Sequence, residues 1–128
     1  MRPRVCFDID QVIATGTVEE VYSDAAGWAF DKCEPITETI KIIEELGRRG
    51  VEIYLHSARY ECDREKTVQW LKQHAVHYDK LVLDKPMADL YVDDKNYPEP
   101  YIPDWPDNLG EILWRLNQGT CKRTRDEP

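Results

Sequence analysis

Four short apolar runs in this chain each stop at a polar residue. Val5-Cys6-Phe7 gives way to Asp8, and Val51-Glu52-Ile53-Tyr54-Leu55 to His56-Ser57. Leu81-Val82-Leu83 gives way to Asp84-Lys85, and Leu90-Tyr91-Val92 to Asp93-Asp94. Runs of this length, separated by stretches of helical periodicity, read as β-strands alternating with α-helices. That order implies parallel pairing. The expected fold is α/β, a three-layer sandwich around a parallel, Rossmann-like sheet. Such sheets take ligands beyond the carboxyl ends of their strands. Asp8, Asp10, Ser57, Lys85, Asp93 and Asp94 all fall there.

The first strand is expected over Arg4–Asp10. Residues 11–34 contain Gly16 and Gly27 and no long periodic pattern, so they read as a loop or small flap with a short ordered piece around Trp28–Phe30. Pro35 suits the first position of a helix, where no amide donor is needed. Ile36, Ile40, Ile43 and Leu46 then recur at helical spacing. Arg48 and Arg49 favour the C-terminal end through the dipole, and Gly50 can stop it. A second helix is expected from Cys62 to His74, with Val68, Trp70 and Leu71 facing the core. A proline-rich loop, Asn96–Pro106, leads to a last helix over Asp107–Asn117. One domain spans 1–118, with little or no cap, and the polar tail 119–128 is expected to be mobile.

The 128 residues suffice for a core without staples. Apolar content of 41% and charged content of 33% exclude wholesale disorder. No apolar stretch approaches about 18 residues, so no membrane helix is expected. The N-terminus runs straight into a strand rather than a secretory segment. Cys6, Cys33, Cys62 and Cys121 form no Cys-x-x-Cys, and Cys6 reads as a buried thiol in a reduced, cytoplasmic protein. A net charge of −8 argues against a nucleic-acid partner, whose backbone calls for a basic surface.

Asp8 and Asp10 are alternate residues of a strand and so start out on one face. Two carboxylates at close range repel unless one is protonated or a cation intervenes. Oxygen ligands suit Mg2+, which commonly uses one or two carboxylates and keeps several waters. With a hydroxyl at Ser57 and an ammonium at Lys85, the set suits a phosphate ester, whose oxygens need cations and donors as charge shifts.

These residues resemble the haloacid dehalogenase superfamily of phosphatases. Its first motif, an apolar strand then Asp-x-Asp, is similar to Phe7-Asp8-Ile9-Asp10. Its second resembles Leu55-His56-Ser57, with Ser57-Ala58-Arg59 as the Ser-x-Arg variant. Its third-motif lysine corresponds to Lys85, and its acidic fourth motif to Tyr91-Val92-Asp93-Asp94. The run Lys85-Pro86-x-Ala88-Asp89-x-Tyr91-x-Asp93-Asp94 narrows the likeness to short, nearly capless phosphatases of capsule and lipopolysaccharide biosynthesis. The resemblance implies that Asp8 attacks phosphorus and becomes an aspartyl phosphate. Asp10 serves as acid and then base. Asp8, Asp93 and the Asp10 carbonyl hold Mg2+, and Asp94 is a ligand or supports one. Ser57, Arg59 and Lys85 bind phosphate. A small sugar phosphate or related metabolite is the implied substrate. The superfamily usually has glycine where this chain has Gln11, and a left-handed backbone there would cost Gln roughly 1–2 kcal/mol.

Blander readings stand beside these. Arg59 can cap or pair locally with Glu61 or Asp63. His74 and His77 lack acidic or thiol partners and read as surface groups, and His56 as structural. Trp28, Phe30, Tyr60, Tyr97, Tyr101 and Trp105 read mainly as packing, with some near the site. Three other functions remain: a polynucleotide 3'-phosphatase, suggested by Ser-x-Arg; a phosphate- or metal-binding relic with a regulatory role; and a receiver domain, disfavoured because its acceptor aspartate follows a later strand. An open site would suit a macromolecule or closure by a second subunit, which leaves a homo-oligomer open.

Overall fold

The computed structural model describes residues 2–22 and 32–97, together with 110, 113, 114 and 117. Two compact units divide the chain, Met1–Met87 and Ala88–Pro128. In the first, the elements run β1 (Arg4–Phe7), α1 (Val18–Val21), α2 (Thr37–Arg48), β2 (Glu52–His56), α3 (Arg64–Gln73) and β3 (Lys80–Val82). A 3-10 turn, Glu61–Asp63, leads into α3.

The three strands lie in the order β1-β2-β3 and are parallel. Phe7 stands opposite Leu55, and Leu55 opposite Leu81. Asp79 pins the entry of β3, because its amide donates to the Ile53 carbonyl and its carboxylate accepts from the Ile53 amide (2.8 and 2.7 Å). One face of the sheet carries Ile53, Leu55 and Leu81, which are buried with Ile43, Trp70 and Leu71 from the helices. Crossovers between successive parallel strands are right-handed, and two that step in the same direction put α2 and α3 on the same face. The opposite face carries Arg4, Cys6, Tyr54 and Lys80. There the Arg4 guanidinium lies 4.1 Å from the centre of the Tyr54 ring, and the Lys80 ammonium 5.7 Å from it.

Among the described residues of the first unit, the parallel sheet is covered by helices on one face, an α/β arrangement of the Rossmann-like kind. Cys6 is exposed rather than buried, because its side chain belongs to the face opposite the one that packs on α2 and α3. Residues 90–92, expected as a fourth strand, carry no regular structure. In the second unit, residues 110, 113, 114 and 117 are helical, inside the helix expected over 107–117. Trp28, Phe30, Tyr101, Trp105, Cys121 and the tail 119–128 lie outside the described residues. Cys6, Cys33 and Cys62 are thiols rather than disulfides. No helix among the described residues is long and apolar enough to cross a membrane.

Pro35 stands outside α2, not at its first position. It forms an antiparallel bridge with Ala14, and the Ile36 amide donates to the Ile13 carbonyl at 2.7 Å, so the helix waits until Thr37. The Thr15 and Glu34 amides complete this junction, reaching the Glu34 carbonyl and the Thr15 hydroxyl at 2.8 Å each. The excursion between β1 and α2 is thus tied shut at its base.

Both long helices end in the same hydrogen-bond pattern. Val51 reaches back to Leu46 and Gly50 to Gly47, with Gly50 at φ +88°. Val76 reaches back to Leu71 and Ala75 to Lys72, with Ala75 at φ +55°. This cap needs a left-handed residue, and only Gly adopts that conformation without strain. Gln11 has the same problem at φ +68°, where three amides (Val12, Ile13, Ala14) turn back onto the Ile9 carbonyl. Gln11→Gly and Ala75→Gly should each stabilise the chain by about 1 kcal/mol, a rise of roughly 4 °C in melting temperature. Thermal unfolding of the two variants checks this.

Candidate active site

The polar ends of β1, β2 and β3 lie at one edge of the sheet, since parallel strands share their direction. After Phe7 the chain turns sharply, and Asp8 accepts the Ile9 amide on Oδ1 at 2.7 Å. Asp8 is half-buried and Asp10 buried. After β2, Ser57 is fully buried, with its amide on the Val82 carbonyl and its hydroxyl accepting the Arg59 amide at 3.0 Å. That local turn aims Arg59 inward.

Arg59 is 0% exposed and forks onto Asp10. Its Nη2 donates to Oδ1 at 2.7 Å, and its Nε lies 3.2 Å from both carboxylate oxygens. The partner predicted nearby in sequence, Glu61, pairs instead with Arg64 at 2.6 Å. Burial works against the Arg59 charge, but the Asp10 hydrogen bond and charge outweigh it and raise its affinity for the proton. A planar guanidinium on a carboxylate fixes orientation as well as charge.

Asp8 is held differently. Burial pushes its carboxyl above the ordinary aspartate range; Lys85 and the Ile9 amide pull it back, and Asp10 pushes it up again. His56 joins the same electrostatic cluster. Burial and Lys85 lower its proton affinity while Asp8 opposes them. The alternation along β2 puts His56 on the face of Tyr54, which made a structural reading the natural one. Its nearness to Asp8 follows from the parallel register, not from local sequence.

Tyr22 is a further group that local sequence gave no sign of. Its hydroxyl donates to Asp63 Oδ2 at 3.0 Å and accepts the Tyr60 amide at 2.9 Å, and its ring stands 4.4 Å from that of Tyr60. Burial drives its phenol far above the ordinary range, so it stays protonated. The excursion is thereby latched to the turn that follows Arg59. The His74 ring lies 4.4 Å from that of Trp70 at a tilt of 48°, and His77 lies 3.9 Å from Asp79.

Asp93 and Asp94 belong to the second unit and are exposed. Asp93 accepts the Lys95 amide at 3.2 Å, and that bond, with one from Asp94, holds its carboxyl below the ordinary range. Among the described residues, no three His, Cys, Asp or Glu side chains stand together as a metal cage. The donors in the first unit nonetheless fit Mg2+. Asp8 is an under-compensated carboxylate with one oxygen on the Ile9 amide, and Arg59 takes both oxygens of Asp10, which leaves Asp10 its carbonyl. One or two carboxylates with carbonyl and water suffice for that ion.

No family model and no curated protein matches the chain. Solved structures do. A crystal structure of a structural-genomics target from Vibrio cholerae is similar at TM-score 0.57 and 19% identity, over 92% of this chain and 99% of that one. Two structures of the Pnkp1/Rnl/Hen1 complex, one of them described as an RNA repair complex, are similar at TM-scores 0.53 and 0.52 with 20% and 18% identity. They cover 73% and 91% of this chain. The fold is shared with a chain of an RNA repair complex. This protein spans about a third of that chain's length, 31% and 32% in the two structures. At these identities the likeness establishes the α/β fold alone.

Two outcomes follow for the acids. Arg59→Ala should destabilise the protein by about 3–5 kcal/mol, because it strands a buried carboxylate, and denaturant unfolding measures it. Asp8 binds its proton more tightly folded than unfolded, so its stability cost is full above the raised folded pKa and disappears as pH falls to the ordinary aspartate range near about 3.9. Asp8→Asn should therefore melt above the parent chain at pH 7 without added metal, and the gap should close as the pH is lowered through that window.

Proposed function

We propose that this protein is a Mg2+-dependent phosphomonoesterase of the haloacid dehalogenase type, working through an aspartyl phosphate on a three-layer version of the fold. The observation that carries the reading is the pairing of roles at the strand ends. Asp8 is an incompletely balanced carboxylate, its burial only partly offset by the Lys85 charge, while its neighbour Asp10 is fixed by Arg59.

In this reading an Asp8 oxygen forms a bond to phosphorus as the ester P–O bond breaks. Asp10 gives a proton to the departing alcohol oxygen. Water then attacks phosphorus, Asp10 takes its proton, and the Asp8–phosphorus bond breaks to release phosphate. Arg59 orients Asp10 for both transfers. Lys85 binds the phosphoryl oxygens and also offsets the Asp8 charge, and the buried Ser57 holds the turn behind them through the Arg59 amide. The residues of the first unit proposed to hold Mg2+ are Asp8 and the Asp10 carbonyl. The ion would neutralise charge between the attacking carboxylate and the phosphate.

Sugar phosphates follow from the motif run at Lys85–Asp94. A second substrate class, a phosphorylated polynucleotide end, is favoured by the fold likeness to an RNA repair chain together with Ser57-Ala58-Arg59. With Mg2+ the protein should release phosphate from an aryl phosphate, and chelation or Asp8→Asn should reduce release to background. A screen over sugar, nucleotide and 3'-phosphorylated RNA substrates separates the two classes. Tight binding of Mg2+ and phosphate with no turnover on the whole screen would reject the hydrolase in favour of a binding relic.

A further inference from the structure

The loops that follow β2 and β3 do not diverge where the ladder ends. Past the pair His56–Val82, four hydrogen bonds stitch residues 57–61 to 82–85. The Ser57 amide reaches Val82, and the Lys85 amide reaches the Ser57 carbonyl at 3.0 Å. The other two belong to one residue. The Asp84 amide donates to the Arg59 carbonyl at 2.8 Å, and Asp84 Oδ1 accepts the Glu61 amide at 3.0 Å.

Asp84 does this from φ +60°, a left-handed backbone. Asp tolerates that region better than most side chains, because its short carboxylate can bond locally. The turn directs two successive amides, of residues 84 and 85, back onto the loop that carries Arg59. Arg59 is thus held at both ends of its own backbone, by Ser57 Oγ at the amide and by Asp84 at the carbonyl, before its side chain reaches Asp10. The next residue along is Lys85.

We infer that Asp84 is a positioning residue: its carboxylate clasp on the Glu61 amide holds the Arg59–Asp10 pair and Lys85 in working register. The inference rests on the proposed phosphatase reading for its kinetic consequence, and on the Arg59 contact for its structural one. Asp84 itself touches no reacting atom. A solvent-facing turn residue with only a local folding role would leave both consequences absent.

Two substitutions in the full-length chain separate these cases. Asp84→Gly keeps the left-handed turn and relieves its strain but removes the clasp. Asp84→Asn keeps both the turn and an acceptor oxygen. With an aryl phosphate and Mg2+, Asp84→Gly should melt within about 2 °C of the parent. It should nevertheless lose about tenfold in kcat with KM changed less than about twofold, the signature of misplaced rather than missing groups. Asp84→Asn should restore kcat to within about twofold. The nitrogen-proton NMR signal of Arg59 Nε, protected by burial and by Asp10, should exchange faster in Asp84→Gly and keep its protection in Asp84→Asn. Parental kcat and an unchanged Arg59 signal in Asp84→Gly would overturn the inference, as would an Asp84→Asn protein as impaired as Asp84→Gly. If the parent chain itself turns over no phosphate ester, the functional reading fails and the Arg59 signal alone decides the role of Asp84.

Discussion

A guanidinium and a carboxylate taken out of water together are tolerable only when each satisfies the other, and the first unit is arranged around one such pair. Removing either charge from solvent costs several kcal/mol, and mutual attraction recovers it only with good geometry. Arg59 and Asp10 have that geometry, a fork closing to 2.7 Å. The pair joins the turn after β1 to the turn after β2 more specifically than apolar packing would, because a fork has one orientation and a hydrophobic contact has many. Isosteric apolar replacement of such pairs is often neutral or stabilising, so orientation is a better reason for its presence than stability. Asp8, two residues away, is left to Lys85 and the Ile9 amide, and the contrast between the two acids gives the site its chemical asymmetry.

Much of this was legible in the chain because alternation and periodicity are local signals. The three strands fall on the apolar runs, β2 and β3 shifted by one residue and β1 ending at Phe7, three residues short of the expected Asp10. Ile43, Trp70 and Leu71 are buried on the helices as their spacing requires. The left-handed turn at Gln11 was visible as a condition attached to a missing glycine. What escaped depends on distant partners. Arg59 had acidic neighbours at 61 and 63, and local reasoning could not see that a residue 49 positions away would take it instead. Cys6 reads as buried in any apolar strand, and its exposure follows from which face the crossovers cover. Pro35 fits a helix start by type, but the bridge to Ala14 claims that stretch first. Leu90–Val92 has strand composition, and composition does not supply a ladder.

Neither the fold likeness nor the acidic net charge decides the substrate. Charge summed over 128 residues says little about one edge of a sheet, where Arg59 forks onto Asp10 and the Lys85 charge acts on Asp8. Fold likeness at 18–20% identity fixes a scaffold that many chemistries share. The substrate therefore has to be argued from the side chains at the strand ends.

The junction of residues 13–15 with 34–36 has an evolutionary corollary. A detour whose two ends are fastened side by side transmits little of its own length to the framework, since enlarging a closed loop adds only slowly to its entropy. Such an insert behaves as an interchangeable part. Changes of length between residues 16 and 33 should therefore leave the fastening itself, and the turn that carries Asp8 and Asp10, in place.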